Sequence, residues 1–419
     1  MVSELPFRDL LALAIGGGWG KDDPTDGHML VGVIRGADFP GVGVGDVSGV
    51  PMRYEEVRKA EKRLLESDDL LLEVSGGTGD RATGRSLFIS EKILKSLGGV
   101  VIPASFCRLI RLKKDIVEPR YAYYWLQGMH ADERVWGYQV RSTGIANFQF
   151  EHFLNTEIVR LPPLVEQRAI AYVLGALDDK IESNRRQHSL IEQTIEASFQ
   201  NICANFSGEY EVMGNIVEQG VSGVWGSDTQ QSESEVCITC LRGVDLHDLA
   251  SGVIPTAPLR WVSSGQSASR VPQEGEIWVE ASGFRCGRSV IIGSHTNALF
   301  DQPIRNSNFV KRLVPKISVR HSYLAWLALK KVYTSDEINN FRTGTSIRNL
   351  DVEGMLKNVR VPILDDARAS QLEGLLQCLV SPSRAKETLI LENLRAALLP
   401  ELLSGRLRIK DAESMVENV

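Results

Sequence analysis

Arginine, lysine and asparagine side chains placed through glycine-rich segments are the groups here with the most specific chemistry. Arginine fits the acceptor edge of guanine, and asparagine the mixed edge of adenine, in a DNA major groove. In the first half the candidates are Lys21, Arg53, Arg81, Arg85, Arg141 and Asn147. In the second they are Arg260, Arg270, Arg285, Arg288, Arg305, Asn306, Arg342, Arg348 and Asn349. All are expected in loops. Arg35 in "VIRGADF" (33–39) and Arg242 in "CLRGVDL" (240–246) recur at matching places, where we expect an arginine–aspartate pair bracing a turn. Arg85 and Arg288 recur in "GRS" and are expected to position phosphates. A residue shared by both halves should hold backbone or fold, because readers of two different segments should differ. Arg53, Arg81, Arg270 and Arg285 are then the stronger candidates for specificity. Trp19 and Trp225 stand in matching glycine loops, "GGGWGKDD" (16–23) and "SGVWGSDT" (222–229). Each is expected to anchor its turn rather than to stack on a base.

Catalytic constellations are missing. Cys237 and Cys240 in "CITC" are half of a zinc site, but tetrahedral zinc needs a second pair at suitable spacing, which the chain lacks. Their repeat counterparts, Leu30 and Val33, read as strand residues, so cysteine serves there as a small hydrophobe. "GVGVG" (41–45) imitates a dinucleotide fingerprint, but its counterpart at 247–252 lacks the glycines, and a loop is expected. There is no phosphate-binding Walker loop, and "LPPL" (161–164) has no amide or carboxylate to hold an adenine amino group. The seven histidines show no ligand spacing. We expect no catalytic residue, no metal and no cofactor bound by the chain itself.

The 419 residues suffice for two or three domains, and 43% hydrophobic content supports real cores. No apolar run approaches the roughly 18 residues of a membrane span. The N-terminal apolar patch lacks a basic start, so no signal peptide is expected. Scattered cysteines fit a reduced, cytoplasmic setting. A net charge of −6 leaves room for nucleic acid only on a local basic patch.

The chain repeats itself. Besides the segments already quoted, "DLLLEVSGGTGDRATGRSLFI" (69–89) matches "EIWVEASGFRCGRSVII" (276–292). "RSTGIANFQFEHFLNTEIVRLPPL" (141–164) matches "FRTGTSIRNLDVEGMLKNVRVPIL" (341–364). Matches in constant order mark a duplication. Each copy opens with β-type runs (Leu70–Val74, Ser86–Ile89, Val100–Ile102 and Phe106–Leu112 in the first) and a helix near Arg120–Leu126. Each closes with a long helix. Its first-copy stripe is Ile170, Leu174, Leu177, Ile181, Ile191, Ile195, Phe199 and Ile202, with Asn184 and His188 at the two positions between. Spacings of three and four define a coiled-coil seam, and a buried Asn there fixes register. The facing stripe is expected at Leu372, Leu375, Leu379, Leu389, Leu394, Leu398 and Leu402. Pro382 should divide that second helix into 365–380 and 383–403. A rod of about 40 residues spans roughly 60 Å and needs a partner for its stripe.

The expected fold is α+β: two pseudo-repeated globular domains separated by an antiparallel two-helix coiled coil. The expected divisions are 1–162, a central helical spacer 163–206, 207–362, a second spacer 363–405 and a tail 406–419.

"LPPLVEQRAIAYVLGALDDKIESNRRQ" (161–187) and "LLPELLSGRLRI" (398–409) resemble the specificity subunits of Type I restriction–modification systems. Pro162, Leu164, Glu166, Gln167, Ile170, Ala171, Leu177, Asp178, Lys180, Ile181 and Asn184 carry the likeness, with "STG" (142–144) ahead of the helix. In the second copy Asp365-Asp366 stands in place of Glu-Gln. The resemblance implies a non-catalytic subunit that reads bipartite double-stranded DNA, one half-site per recognition domain, with the helices setting the gap. It also implies two modification (methyltransferase) subunits using S-adenosylmethionine, and restriction (motor–nuclease) subunits, as partners. The competing expectation is a coiled-coil adaptor whose repeated domains bind protein.

Overall fold

The computed structural model describes residues 2–77, 81–142, 145–283, 285–344 and 348–417. The chain divides into two units, residues 1–182 with 391–419, and residues 183–390. Thr143 and Gly144 of the "STG" loop lie outside the described residues.

The duplication is visible strand by strand. In the first unit a four-stranded antiparallel sheet runs in the order Leu11–Gly16, Cys107–Leu112, Leu70–Glu73, Ser86–Phe88. The second unit repeats that order with Val217–Gln219, Val310–Pro315, Glu276–Glu280 and Ser289–Ile292. Beside it lies a three-stranded sheet, Met52–Glu56, His28–Ile34 and Val101–Pro103, whose last pair is parallel. Its counterpart is Leu259–Ser263, Glu235–Leu241 and Ile304–Asn306, again with a parallel last pair. Each unit is tied off by a short antiparallel pair, Ser3–Pro6 with Ile158–Leu161 and Tyr210–Val212 with Arg360–Pro362.

The central helix is Leu164–Ala204. Gln167 explains how the motif starts it. The side chain is 1% exposed, accepts from the Glu118 backbone N–H at 2.9 Å and donates to the Pro162 carbonyl at 2.8 Å. The amide thereby ties the start of the central helix to the segment before it and to the start of the helix Pro119–Ala131. In the first unit Ile170, Leu174, Leu177 and Ile181 share a core with Leu391, Leu398, Leu399 and Leu402. In the second, Ile195 and Phe199 share one with Leu372, Leu376 and Leu379. Asn184 is buried and donates to Glu387 Oε2 (2.9 Å) and Thr388 Oγ1 (3.3 Å), so it keys the seam. His188, also buried, bonds the Ala250 carbonyl rather than the facing helix.

The second helix breaks where proline requires it, into Asp366–Val380 and Pro382–Ser404, with Pro382 at the first helical position. Asp365 caps the first piece by accepting from the Arg368 N–H at 2.9 Å. The break also corrects the expected stripe. Leu389 is only half-buried, and Thr388 and Leu391 take the buried positions, because the new segment restarts the helical phase.

One further expectation changes and the strand reading of the cysteines holds. "GVGVG" overlaps a helical turn, Phe39–Gly43, that buries Phe39 and Val42. Cys237 and Cys240 lie in the strand Glu235–Leu241, where an odd spacing sends them to opposite faces. Cys240 is buried, donates to the Val224 carbonyl, and has its thiol pushed up to about 12 by burial. No helix among the described residues is long and apolar enough to cross a membrane.

Candidate nucleic-acid interface

The two glycine loops build the same platform. Gly20 and Gly226 adopt positive φ, and a Cβ there would stand 2.6 Å from the Tyr54 carbonyl oxygen and 2.4 Å from that of Trp261. The close approach lets Arg53 and Arg260 reach back over Trp19 and Trp225, 4.7 and 4.2 Å from the ring centroids. Each arginine donates through Nε to its tryptophan's carbonyl at 3.3 Å and pairs with an aspartate, Asp22 or Asp228. The tryptophans each remain 39% exposed. Arg53, expected to set specificity, thus has a counterpart doing the same work in the other unit. By the rule that shared residues hold the fold, it becomes a shelf. Both arginines lie in strands, not loops.

The arginines of "RGxD" brace turns as expected. Arg35 Nε donates to Asp38 at 2.9 Å and Arg242 Nε to Asp245 at 2.9 Å, each aspartate accepting in return from its arginine's backbone N–H. These turns press against a buried glutamate, Glu73 or Glu280. A Cβ on Gly36 would sit 2.5 Å from Glu73 Oε1, and one on Gly243 would sit 2.6 Å from Glu280 Cγ.

The "GRS" arginines then part company. Arg85 holds Glu73 with two hydrogen bonds, at 2.8 and 2.7 Å. Arg288 makes no side-chain hydrogen bond or ion pair among the described residues, and Glu280 Oε2 is buried without a partner. Burial raises the Glu280 carboxyl above its ordinary range, opposed by Arg288, Arg285 and Arg342.

Beside each glutamate a β-hairpin joins the adjacent segment. In the first unit Gln139–Ser142 pairs with Ile145–Phe148, which pairs with Ser75–Gly77. In the second, Arg342–Thr343 pairs with Asn349–Leu350, and Asn349 bridges Ser282. Asn147 opposite Ser75 is thus the equivalent of Asn349 opposite Ser282, a correspondence the sequence alignment misses by two residues. Arg141, Asn147, Arg348 and Asn349 are exposed on these hairpins. Arg342 donates to the Cys286 carbonyl at 2.9 and 2.7 Å, clamping the hairpin base.

The other candidates separate by burial. Arg305 and Asn306 lie inside the strand Ile304–Asn306, 5% and 0% exposed, and donate to the Ser267 and Val310 carbonyls. They serve the fold. Arg270 bonds the Ser222 and Gln266 carbonyls, and Arg81 bonds that of Gly76. Lys21 is exposed.

In the second unit Trp225, Arg285 and Arg288 come together around an open cleft of about 990 Å³, with Arg242, Val244, His247, Glu280 and Phe309. Burial, with Arg288 nearby, lowers the His247 pKa. Such a concavity combines arginines whose N–H groups are not hydrogen-bonded with exposed aromatic surface, alongside the acids Glu280 and Asp248, a combination suited to phosphates and bases. Phe309 is 63% exposed, and its first-unit counterpart Phe106 is 64% exposed. Sequence reasoning sought charged groups and passed over both, although "SFCRL" and "NFVKRL" carry the pair in register.

Residues 35–193 match the model of the Type I restriction modification DNA specificity domain. No curated protein matches the chain. Among solved structures, the S subunit of a Type I restriction–modification system from M. genitalium is 14% identical. That match covers 96% of each chain with a TM-score of 0.55. The HsdS subunit from Thermoanaerobacter tengcongensis is 15% identical, covering 97% of each chain, with a TM-score of 0.36. A structure reported for complex assembly and conformational transition of the type I R-M system is 15% identical, covering 97% of this chain and 98% of that one, with a TM-score of 0.39. Residues 35–193 are thus similar to a Type I restriction modification DNA specificity domain, and the chain as a whole shares its fold with the first of these structures.

Proposed function

We propose that the chain reads a bipartite double-stranded DNA site, one segment through residues 1–162 and the other through 207–362. The helices 163–206 and 363–405 set the unread gap between them. The observation that carries this reading is the duplicated face itself: a tryptophan shelf, an exposed hairpin and an exposed phenylalanine, built twice on one topology. Arg285, exposed in the cleft, is the first candidate for base contact in the second unit, followed by the hairpin residues Arg348 and Asn349 there and Arg141 and Asn147 in the first. Two modification subunits supply methylation from S-adenosylmethionine, and restriction subunits join them; this chain contributes recognition and assembly, not chemistry.

The division of labour is tested by lengthening the helical pair. A heptad inserted after Arg186, with a matching one after Arg384, adds about 10 Å, or about three base pairs. Mapping methylated adenines with the assembled complex should show a longer gap between unchanged half-sites. Altered half-sites with an unchanged gap would refute the division, and binding that ignores both salt and sequence would refute DNA reading altogether.

A further inference from the structure

Phe106 and Phe309 are held out by identical clamps. Each is the third residue of a four-residue turn, closed by the Cys107 N–H on the Ala104 carbonyl (2.8 Å) or the Val310 N–H on the Ser307 carbonyl (3.0 Å). Each phenylalanine carbonyl accepts from the neighbouring strand, from Val74 N–H or Ala281 N–H, at 2.8 Å. The glycine loop presses on the turn from the other side. A Cβ on Gly17 would stand 2.1 Å from the Ala104 oxygen, and one on Gly223 would stand 2.0 Å from the Ser307 oxygen. Gly18 and Val224 donate to the Pro103 and Asn306 carbonyls, both at 2.9 Å. So much backbone restraint, repeated in both units, displays a large apolar ring to solvent, where folding gains little from it.

We propose, resting on the DNA-reading function above, that Phe106 and Phe309 are stacking contacts that wedge against a base face at a locally unstacked step in each half-site without reading its identity. Two observations select DNA as the occupant. Phe309 shares its cleft with Trp225, three arginines (Arg242, Arg285, Arg288) and two acids (Asp248, Glu280); Arg285 and Arg288 act on Glu280 through charge alone, with no side-chain hydrogen bond or ion pair among the described residues, which leaves their N–H groups open to phosphate. And the ring is the same in both units while the residue before it differs, Ser105 against Asn308. Sameness fits stacking, because every base offers a π face, whereas letter-reading residues should diverge. The rings are positioning residues for recognition.

The test uses the full chain assembled with its modification subunits and a duplex bearing the mapped site, with 2-aminopurine placed step by step through one half-site. Phe309→Ala should weaken binding roughly tenfold, leave the methylated sequence and the salt slope unchanged, and abolish a position-specific 2-aminopurine change seen with the unaltered chain. Phe309→Trp should restore both. Phe106→Ala should do the same for the other half-site. Unchanged affinity in both alanine variants overturns the proposal, as does a relaxed sequence preference, which would make the ring a base reader. Loss of co-purification with the modification subunits also overturns it, by placing the ring on a protein interface. If the unaltered assembly shows no site preference at all, the DNA-reading function itself fails, a distinguishable result.

Discussion

In the first unit Leu71 lies opposite Leu109 in the middle of the four-stranded sheet; at the same place in the second, Trp278 lies opposite Arg312. Both sheets keep a buried acid one turn of the pleat away, Asp69 or Glu276, and both give it an arginine. The arginine has moved two positions along the strand. Arg111 reaches Asp69 from the sheet end, with its side chain 26% exposed and two contacts at 2.8 Å. Arg312 is 4% exposed and meets Glu276 at 2.9 Å, while the Trp278 Nε1–H donates to the same carboxylate at 2.8 Å. A shift of two keeps a strand residue on its face, so one topology accepts either arrangement. What changes is desolvation: the second pair is cut off from water, and the first is not.

That contrast can be broken most forcefully at Glu276. Glu276→Ala leaves Arg312 charged and buried and should destabilise the second unit by about 3–5 kcal/mol. Asp69→Ala should cost the first unit only about 1–3 kcal/mol, since Arg111 can turn to solvent. Hydrogen exchange at Ile277–Glu280 and Leu70–Glu73 reads the two units separately, and equal losses would erase the distinction.

A smaller effect sharpens the comparison of the cradled glutamates. Glu73→Gln weakens the charged pair with Arg85 and should cost about 1–3 kcal/mol. Glu280→Gln should be neutral or stabilising at pH 7, because a buried carboxylate without a hydrogen-bond partner at Oε2 is replaced by an uncharged amide. Thermal unfolding of both variants checks the opposite signs.

The smallest effect is in pH. Burial raises the Glu280 pKa in the folded state, so the folded chain holds its proton more tightly than the unfolded one. The resulting stability is complete below the ordinary carboxylate pKa of about 4.5 and declines as pH rises through the raised value. Subtracting the melting profile of Glu280→Gln from that of the unaltered chain should expose a difference that declines with rising pH above about 4.5. A flat difference would mean that Glu280 is solvated.

Much of the architecture was legible. The "RGxD" arginines recur with their aspartates three residues on, which is the reach of a capping turn, and both pairs formed. Pro382 divided the second helix because a proline cannot donate within one. The interface was less legible. Arg260 and Arg305 looked like surface readers and are buried, because their partners, the 225–228 loop and the Ser267 carbonyl, lie 32 to 38 residues away in sequence; Asn306 is buried on the Val310 carbonyl. Arg53 looked unique to one half until Arg260 proved to occupy its place, and Asn147 found its counterpart in Asn349 only through strand register. Phe106 reads in sequence only as the first residue of a β-type run, and Phe309 as core; the strand begins one residue later, at Cys107, and both rings are exposed.

Sequence alone determined the duplication, the order of elements in each copy and the helical seam, because periodicity and turn chemistry are local properties of the chain. Only the tertiary structure decided which arginines are shelves, which are buried and which stand unengaged beside an exposed ring. A side chain's solvation and partners depend on segments far away in sequence, and no local pattern encodes them.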